Sequence, residues 1–398
     1  MPFNTLKDLD AKGLRVFLRA DLNVPLKDGV ITDATRIRET LPTLRHLLEQ
    51  GASVVLASHL GRPKGDGFEA AFSLAPVAAW LTAQGLDVRL APGVVGEAVE
   101  VEARALKPGQ VLLLENLRFE KGETKNTPEF AATLAKLADA YVDDAFGAAH
   151  RAHASVSGMV ADFPKDRVAA GFLMEKELKA LGRILHDPEK PLIAVMGGAK
   201  VSDKIELIHH FLGKADAILI GGAMSYTLLK AEGIPIGKSL CEDDKVEMAK
   251  GLIQEAKDKG TRLLLPLDHL VADRLAEDAD CALTNDADIP EDRMGLDIGP
   301  ETVAAYVQEI RGAKTILWNG PMGVFELEPF ASGTLTLAEE MGDAADRGAF
   351  VLVGGGDSVA AAAKAGVIGR MSHVSTGGGA SLEFLSGLEL PGVAALSR

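Results

Sequence analysis

Residues 192–200 are LIAVMGGAK, and this stretch decides the fold, because five apolar residues are followed directly by two glycines. The apolar run has strand length and is apolar throughout, which is typical of a parallel strand covered by helices on both faces. We count ten such runs, separated by segments with apolar residues at helical spacing: residues 15–20, 53–58, 111–114, 140–142, 192–196, 217–220, 262–265, 315–318, 350–353 and 373–375. The pattern predicts a doubly wound α/β fold.

The composition narrows the class of protein. A chain of 398 residues predicts more than one domain. The net charge of −15 argues against a general nucleic-acid binder, because phosphate backbones favour clustered Lys and Arg. The two cysteines, Cys241 and Cys281, stand in no CxxC or CxxH pattern, so a disulfide framework or zinc site has no support. The sequence has no signal-like start and no 18-residue apolar run, and we expect a cytoplasmic protein.

The residues that follow the predicted strands divide the chain into two parts. Charged or polar groups follow the first four runs, whereas the later runs end chiefly in glycine. We therefore predict two domains with different ligands, at residues 1–170 and 187–380. An apolar stripe within residues 171–186 predicts a helix that joins them. The alternative interpretation of that stripe is an ordinary surface helix within one domain.

Basic side chains recur at the strand ends of the first part, and Arg offers planar bidentate donors to phosphate and carboxylate. Any one of them, taken alone, is more often a solvated residue or an ion-pair partner. Their recurrence at one end of successive strands predicts a site for a small polyanion, with Asp21 and Asn23 available to a hydroxyl group. The basic candidates are Arg36, His59, Arg62, Arg118, His150, Arg151 and His153.

Glycine clusters follow three strands of the second part, at residues 197–198, 354–356 and 377–379. Glycine lets backbone N–H groups approach a phosphate, and a helix dipole favours negative charge there. The clusters predict a polyphosphate ligand, although a single glycine loop can be a plain tight turn. The absence of GxxxxGK[ST] and GxGxxG argues against a P-loop ATPase and a standard dinucleotide domain.

Three charged residues adjoin these glycines. Lys200 and Lys204 are four residues apart at a predicted helix start, where both would lie on one face and reach anionic oxygens. A solvated pair is the alternative. Asp357 follows the cluster at 354–356, which suits either a carboxylate that holds Mg²⁺ on phosphate oxygens or a helix N-cap.

Two other patterns carry no function. Residues 144–147, DAFG, are similar to the magnesium motif of protein kinases, but the other kinase motifs are missing. His209 and His210 are adjacent, so on a helix they point in different directions, and we interpret them as solvated surface rather than a metal site.

Eight ordered motifs make the chain resemble the phosphoglycerate kinase family along essentially its whole length. They are RADLNVP at 19–25, SHLGRP at 58–63, ENLRF at 115–119, HRAHAS at 150–155, GGAKVSDK at 197–204, WNGPMGVFE at 318–326, GGGDS at 354–358 and STGGGAS at 375–381. One departure is Ser358, where the family usually has Thr; the hydroxyl group is retained.

The resemblance implies two α/β domains joined by a helix, with a cleft between them and residues 381–398 packed back on the first domain. It implies reversible, magnesium-dependent phosphoryl transfer between 1,3-bisphosphoglycerate with ADP and 3-phosphoglycerate with ATP, in glycolysis or gluconeogenesis. A carboxylate acceptor is already ionised at pH 7, so no general base is needed. Catalysis then depends on positioning and on cations around the phosphoryl group, and we expect domain closure to exclude water.

The resemblance also assigns residues, a monomeric state and small-molecule substrates, without a nucleic-acid or membrane partner. The glycerate would be held by Asp21, Asn23, Arg36, His59, Arg62, Arg118 and Arg151. The nucleotide would be held by Lys204, Gly222, Gly295, Asn319, Pro321, Glu326, Gly355, Gly356, Asp357 and Ser358, with Asp357 toward Mg²⁺. The phosphoryl group in transfer would be neutralised by Arg36, Lys200 and the backbone amides of Gly377, Gly378 and Gly379.

Two alternatives need different residues. A two-lobed, non-enzymatic anion-binding protein would use the arginines but not the glycine loops with Lys200 and Asp357. A nucleotide-linked oxidoreductase would need the GxGxxG pattern, which is absent.

Overall fold

The structure is a computed structural model that describes residues 3–397. The strands are β1 Arg15–Ala20, β2 Leu26–Lys27, β3 Val30–Ile31, β4 Ser53–Ala57, β5 Asp87–Leu90, β6 Gln110–Leu113, β7 Ala140–Asp144, β8 Val168–Ala170, β9 Leu192–Met196, β10 Ala217–Ile220, β11 Arg262–Leu264, β12 His269–Ala272, β13 Cys281–Leu283, β14 Met294–Ile298, β15 Thr315–Asn319, β16 Phe350–Val353 and β17 His373–Val374.

Helices alternate with these strands along most of the chain. They are α1 Thr35–Glu49, α2 Ala75–Ala83, α3 Glu97–Arg104, α4 Lys121–Lys125, α5 Pro128–Ala135, α6 Phe172–His186, α7 Ile205–Phe211, α8 Met224–Ala231, α9 Val246–Asp258, α10 Pro300–Gly312, α11 Ser332–Asp346, α12 Gly356–Lys364, α13 Gly379–Leu385 and α14 Pro391–Leu396. In the described part of the chain, no helix is long and apolar enough to cross a membrane.

The chain forms two compact units. The first unit consists of the residues up to Lys179 together with those from Glu389 onward, and the second is Ala180–Leu388. Residues 381–398, which were predicted to pack on the first domain, are instead divided between the two units, because α13 packs on α7 inside the second unit. Only α14 belongs to the first unit, where the N–H of Gly392 donates to the carbonyl of Ala149 at 2.9 Å.

The first unit is built on a six-stranded parallel sheet in the order β5-β6-β4-β1-β7-β8. β4 and β7 are buried along their whole length, including Asp143 and Asp144, the two aspartates with which β7 ends. Because all six strands are parallel, their carboxyl ends lie at one edge of the sheet. The chain crosses back over the sheet from β6 to β7, so the loops after β1, β4 and β7 flank a switch point at that edge.

The second unit repeats the architecture with a parallel sheet in the order β11-β10-β9-β15-β16-β17. Here the strand order reverses between β9 and β15, which are neighbours in the sheet. A separate three-stranded antiparallel sheet, β13-β12-β14, belongs to the same unit and has a bulge between Leu270 and Val271.

The prediction of a doubly wound α/β fold is confirmed, and all ten predicted runs are strands. The sequence pattern misses seven further strands: the two-residue β2 and β3, and β5, β8, β12, β13 and β14, which have three to five residues each. β5 lies at a sheet edge, and its residues alternate between exposed and half-buried, so its sequence holds the charged residues Asp87 and Arg89. A strand with one solvated face lacks the uniformly apolar run on which the prediction depends.

Candidate active site

A polar cluster lies at the carboxyl end of the first sheet. Asp21 follows β1 directly, His59 follows β4, and Arg118 lies in the loop after β6, so the parallel strands bring these predicted residues to one edge. Asn23 joins them from the loop after β1, since its Oδ1 accepts the N–H of Gly61 at 2.8 Å.

Arg36 forms an ion pair with Asp21, with 2.6 Å between Nη1 and Oδ2. Arg36 lies in the first turn of α1, where a cation is disfavoured by the helix dipole and where α1 has no acidic residue. Burial by itself would raise the pKa of Asp21, but the guanidinium groups of Arg36 and Arg19 and the N–H of Asn23 act against burial, and the pKa is lowered. Asp21 is therefore ionised and balances a cation placed at an unfavourable position.

Arg118 is the second partly buried arginine of this cluster. Its Nη1 donates to the carbonyl of Gly61 at 2.9 Å, whereas its Nε is buried without a hydrogen-bond partner among residues 3–397. Burial lowers the pKa of Arg118, and the nearby guanidinium of Arg19 acts in the same direction. A buried donor without an acceptor is suited to an anionic ligand.

Arg62 and Arg151, by contrast, are exposed. Within the described residues, neither side chain makes a hydrogen bond or an ion pair, so both guanidinium groups are available to a ligand. Arg62 adds to the positive field at Arg118, and Arg151 adds to the field at His153. The predicted arginines thus form a half-buried inner pair, Arg36 and Arg118, and an exposed outer pair.

Glycine loops meet at the switch point of the second sheet. Gly197 follows β9, and its N–H donates to the carbonyl of Asn319 at the end of β15, at 3.1 Å. A side chain at Gly197 would overlap the backbone of Pro321, and one at Gly222 would overlap the backbone of Gly198. Glycine at 197 and 222 is therefore required by close backbone packing.

Polar side chains hold these loops in place. Lys204 donates from Nζ to Oδ1 of Asn319, whose Nδ2 donates to the carbonyl of Gly354 at 2.8 Å. Burial lowers the pKa of Lys204, although the carboxylates of Asp203 and Asp357 act to raise it. Ser358 is buried, and its hydroxyl accepts the N–H of Gly320 at 2.6 Å, so this predicted nucleotide ligand uses its oxygen inside the protein.

The prediction that Lys200 and Lys204 share a helical face is wrong, because α7 begins only at Ile205. Glu242 accepts hydrogen bonds from the N–H of Ser202 at 3.1 Å and from its hydroxyl at 2.6 Å. These bonds hold the preceding residues in a turn. Lys204 is half-buried beside Asn319, whereas Lys200 is exposed.

The third glycine cluster precedes α13. The N–H of Gly377 donates to the hydroxyl of Ser375 at 3.2 Å, so this predicted amide is engaged within the protein. Gly378 has a positive φ of 53°, and the helix begins at Gly379. The amides of Gly378 and Gly379 stand at the start of the helix.

A cavity of about 550 Å³ opens beside the first glycine loop. Its lining includes five of the predicted nucleotide residues, Gly222, Gly295, Pro321, Glu326 and Asp357. The predicted Lys204, Asn319, Gly355, Gly356 and Ser358 do not line it; they lie in or support the adjoining loops. Sequence reasoning missed the apolar wall of the cavity, which is formed in part by Tyr226, Leu240, Leu275 and Leu296.

A larger cavity of about 790 Å³ lies beside β11 in the same unit. It is lined chiefly by apolar side chains and includes none of the three glycine clusters and no predicted ligand residue. The glycine loops and Asp357, rather than size, distinguish the cavity of about 550 Å³ from this larger one.

Asp357 is the one candidate for a metal ligand. It is exposed in the first turn of α12, and the N-cap position of that helix is Gly355, so the N-cap interpretation of Asp357 is wrong. Among the residues that the structure describes, no group of three or more His, Cys, Asp or Glu side chains could hold a metal. Because Mg²⁺ commonly takes one or two carboxylates together with substrate phosphates, a lone Asp357 fits a nucleotide-bound magnesium ion.

Comparisons with known proteins agree with this arrangement. A family model described as phosphoglycerate kinase matches residues 6–388. The phosphoglycerate kinase of Thermosipho africanus is 53% identical over 396 residues, which are 99% of this chain and 98% of the relative. The cytosolic phosphoglycerate kinase of Triticum aestivum is 54% identical with the same coverage. The solved structure of phosphoglycerate kinase from Coxiella burnetii aligns with a TM-score of 0.91 at 43% identity, covering 100% of this chain and 99% of that one.

Proposed function

Because the chain belongs to the phosphoglycerate kinase family, we propose that its two polar sites hold the two substrates of one phosphoryl transfer. The chain is a glycolytic kinase that uses ATP and ADP and acts on small molecules. The observation that carries the assignment of sites is the cavity lined by Gly222, Gly295, Pro321, Glu326 and Asp357. A non-enzymatic anion-binding protein would not need such a cavity.

The basic cluster of the first unit is the site for 3-phosphoglycerate and its acyl phosphate. Arg118 and the exposed Arg62 and Arg151 suit the phosphate group, since guanidinium groups bind phosphate oxygens in a bidentate manner. Asp21 and Asn23 supply acceptors for a hydroxyl group. The carboxylate that receives the phosphoryl group is ionised at pH 7, so the absence of a general base beside the cluster is no obstacle.

The glycine loops and the cavity of the second unit are the nucleotide site. Asp357 would hold Mg²⁺ there together with the nucleotide phosphates, and the bound ion would neutralise phosphate charge. Lys204, fixed by Asn319, supplies a further cation close to Asp357. Arg36, Lys200 and the amides of Gly378 and Gly379 are the groups we assign to the charge of the phosphoryl group in transfer.

Domain closure follows from the chemistry of the reaction. The carboxylate must meet the terminal phosphate while water is excluded, because water would otherwise intercept the phosphoryl group. We therefore expect small-angle scattering to show a smaller radius of gyration with both substrates than with either one alone. An unchanged radius would contradict closure.

The remaining properties follow the same proposal. We expect a cytoplasmic monomer that acts without a nucleic-acid or membrane partner. The net charge of −15 supports the absence of nucleic-acid binding. Size-exclusion chromatography with light scattering measures the monomer directly, and a mass of twice 41.9 kDa would contradict it.

The test of function is the consumption of ATP in the presence of 3-phosphoglycerate and Mg²⁺, coupled to glyceraldehyde-3-phosphate dehydrogenase and followed by loss of NADH. Glycerate without the phosphate is the control. Rapid loss of NADH with 3-phosphoglycerate but not with glycerate would support both site assignments. A folded protein that binds ATP but does not consume it would mean that the basic cluster takes another acid.

A further inference from the structure

A buried arginine lies beneath the basic cluster. Arg19 lies in β1 and is completely buried, although the rest of that strand is apolar apart from Arg15 at its start. Its Nε donates to the hydroxyl oxygen of Ser155 at 2.8 Å, and its Nη1 donates to the carbonyl of Ala20. Its Nη2 lies 3.3 Å from Nδ1 of His59. A charged side chain is rarely buried so fully unless its donors are used.

Ser155 is itself held by a buried carboxylate. Glu123 accepts the N–H of Ser155 on Oε2 at 2.9 Å and the hydroxyl proton of Ser155 on Oε1 at 2.6 Å. Because the hydroxyl proton goes to Glu123, the oxygen lone pairs of Ser155 are available to accept from Arg19. His153 faces the same carboxylate, with 3.8 Å between Nδ1 and Oε1. Glu123, Ser155 and Arg19 therefore form a continuous buried chain of hydrogen bonds that ends at His59.

The chain of bonds determines where the proton of His59 resides. A guanidinium group can only donate, so Nδ1 of His59 must accept the hydrogen bond from Arg19. The ring is then neutral and carries its proton on Nε2. A proton on Nδ1 would point at the N–H of Arg19. In the described part of the chain, Nε2 has no hydrogen-bond partner, so this N–H is available to a ligand.

The charges that face His59 favour the same state. Burial lowers the pKa of His59 to about 3, and the guanidinium groups of Arg19, Arg118 and Arg36 act in the same direction. Only Asp21 acts to raise it. The three arginines already supply positive charge here, and protonated His59 would be a fourth cation that they repel.

We propose that Glu123, Ser155 and Arg19 are positioning residues that fix His59 as the neutral tautomer with its proton on Nε2, and that this N–H donates to an oxygen of the phosphorylated acid. The identity of the acid rests on the proposed function, whereas the tautomer does not. A neutral donor held in one orientation binds the acid alike across the physiological pH range, in contrast to an imidazole that titrates near pH 6.5.

The first test needs no variant. The full chain is labelled with ¹⁵N-histidine, and the His59 signals are identified by their loss in His59→Gln. Long-range ¹H–¹⁵N spectra of the ligand-free protein should show a protonated Nε2 and an unprotonated Nδ1 at pH 7, with no titration down to about pH 5. A proton on Nδ1, or a charged ring at pH 6, would overturn the proposal whether or not the protein is active as a kinase.

The second test removes a hydrogen bond of this network at Ser155, which bonds to Arg19 and not to His59. In Ser155→Ala, Arg19 loses its acceptor, so we expect mixed His59 tautomers and an apparent pKa that moves toward its ordinary value. The KM for 3-phosphoglycerate should rise roughly five-fold, as for the loss of one hydrogen bond, with a smaller change in kcat and in the KM for ATP. An ionisation between pH 5 and 7 should also appear in kcat/KM for 3-phosphoglycerate, which reports the free enzyme.

Ser157→Ala is the matched control. Ser157 is two residues away, and its hydroxyl donates to the carbonyl of His153 at 3.2 Å without contact to Arg19. It should retain the wild-type tautomer and KM. Equal increases of KM in both variants, or unchanged His59 spectra in a folded Ser155→Ala protein, would reduce Ser155 to an ordinary structural residue and overturn the proposal. If Ser155→Ala does not fold, the wild-type spectra decide.

Discussion

Arg36 stands at a position that local helix physics disfavours, in the first turn of α1. Its ion pair with the buried Asp21 compensates for the unfavourable helix dipole, and the same pair keeps a guanidinium at the edge of the proposed glycerate site. A cation placed against the helix dipole is more readily explained by function than by stability.

Arg36→Ala tests that explanation. If Arg36 supplies charge to the phosphoryl group in transfer, turnover should fall on the order of 10² or more, while the affinity for ATP barely changes. Steady-state kinetics and calorimetric ATP binding measure the two effects. Arg38→Ala is the control, since Arg38 is exposed two residues further along the same helix. Normal turnover of the Arg36 variant would remove this residue from the catalytic set.

Gly222 lies where two loops of the proposed nucleotide site approach each other closely. It has a positive φ of 66°, and a side chain there would overlap the backbone of Gly198. Gly222→Ala should therefore destabilise the protein by about 1–3 kcal/mol and raise the KM for ATP. Gly251→Ala is the control, because nothing lies within 4 Å of a side chain at this position inside α9. It should be neutral or stabilise by up to about 1 kcal/mol. Chemical denaturation measures both, and equal free energies of unfolding would contradict the packing argument.

At the scale of elements, the start of α6 depends on a buried carboxylate. Asp144, the last residue of β7, accepts the N–H groups of Leu173 at 2.8 Å and Met174 at 3.2 Å on Oδ1. Burial raises the pKa of Asp144 to about 7, although those hydrogen bonds act to lower it. Between about pH 4 and pH 7, Asp144 is thus protonated in the folded protein but ionised in the unfolded chain.

Because the pKa of Asp144 differs between the folded and unfolded states, the free energy of unfolding depends on pH. The folded pKa lies above the unfolded one, so the contribution of Asp144 is fully present below about pH 4 and is lost as the pH rises to about 7. Asp144→Asn keeps an oxygen for both N–H groups and cannot ionise. Relative to wild type, we expect it to gain roughly 3 kcal/mol between pH 4 and pH 8.

Urea denaturation at several pH values measures the gain. The exposed Asp162→Asn is the control and should show the same pH dependence as wild type. Parallel curves for wild type and Asp144→Asn would contradict the assignment of a raised pKa to Asp144.

At the scale of the whole molecule, the last turn of the chain belongs to the first unit, although most of the preceding 200 residues form the second. Leu390, Val393 and Leu396 are buried there, with Val393 only 2% exposed. The core of the first unit is therefore completed by residues that follow the whole second unit in sequence.

Val393→Ala should lower the free energy of unfolding by roughly 1–3 kcal/mol, as for a buried aliphatic side chain that leaves a cavity. Affinity for ATP should be unchanged, because every residue that lines the proposed nucleotide cavity belongs to the second unit. Calorimetry measures both. Val101→Ala makes the same chemical change at a position that is 57% exposed in the first unit, and should cost less than about 0.5 kcal/mol. A large effect of Val393→Ala on ATP binding would contradict the independence of the two sites.

The sequence alone indicated all six strands of the second parallel sheet and four of the six strands of the first. Uniformly apolar runs such as residues 192–196 are a local property of the chain, and a strand covered on both faces requires them wherever it occurs. The same locality explains why residues after strand ends, such as His59 and Gly198, could be predicted as candidate ligands. Strands whose outer face is solvated, such as β5, lack that local signal.

Only the tertiary structure decided how side chains distant in sequence meet. Glu242 turns the chain at Ser202 and so delays α7, Ser358 uses its hydroxyl on Gly320, and Tyr226 lines the nucleotide cavity. Arg19 contacts His59 and Ser155 because β1 lies between β4 and β7. Strand order and crossover connections set such contacts, and both arise from packing over the whole sheet. Propensity and spacing act between neighbours in sequence, so they show which residues can bind but not which of them are held by the fold.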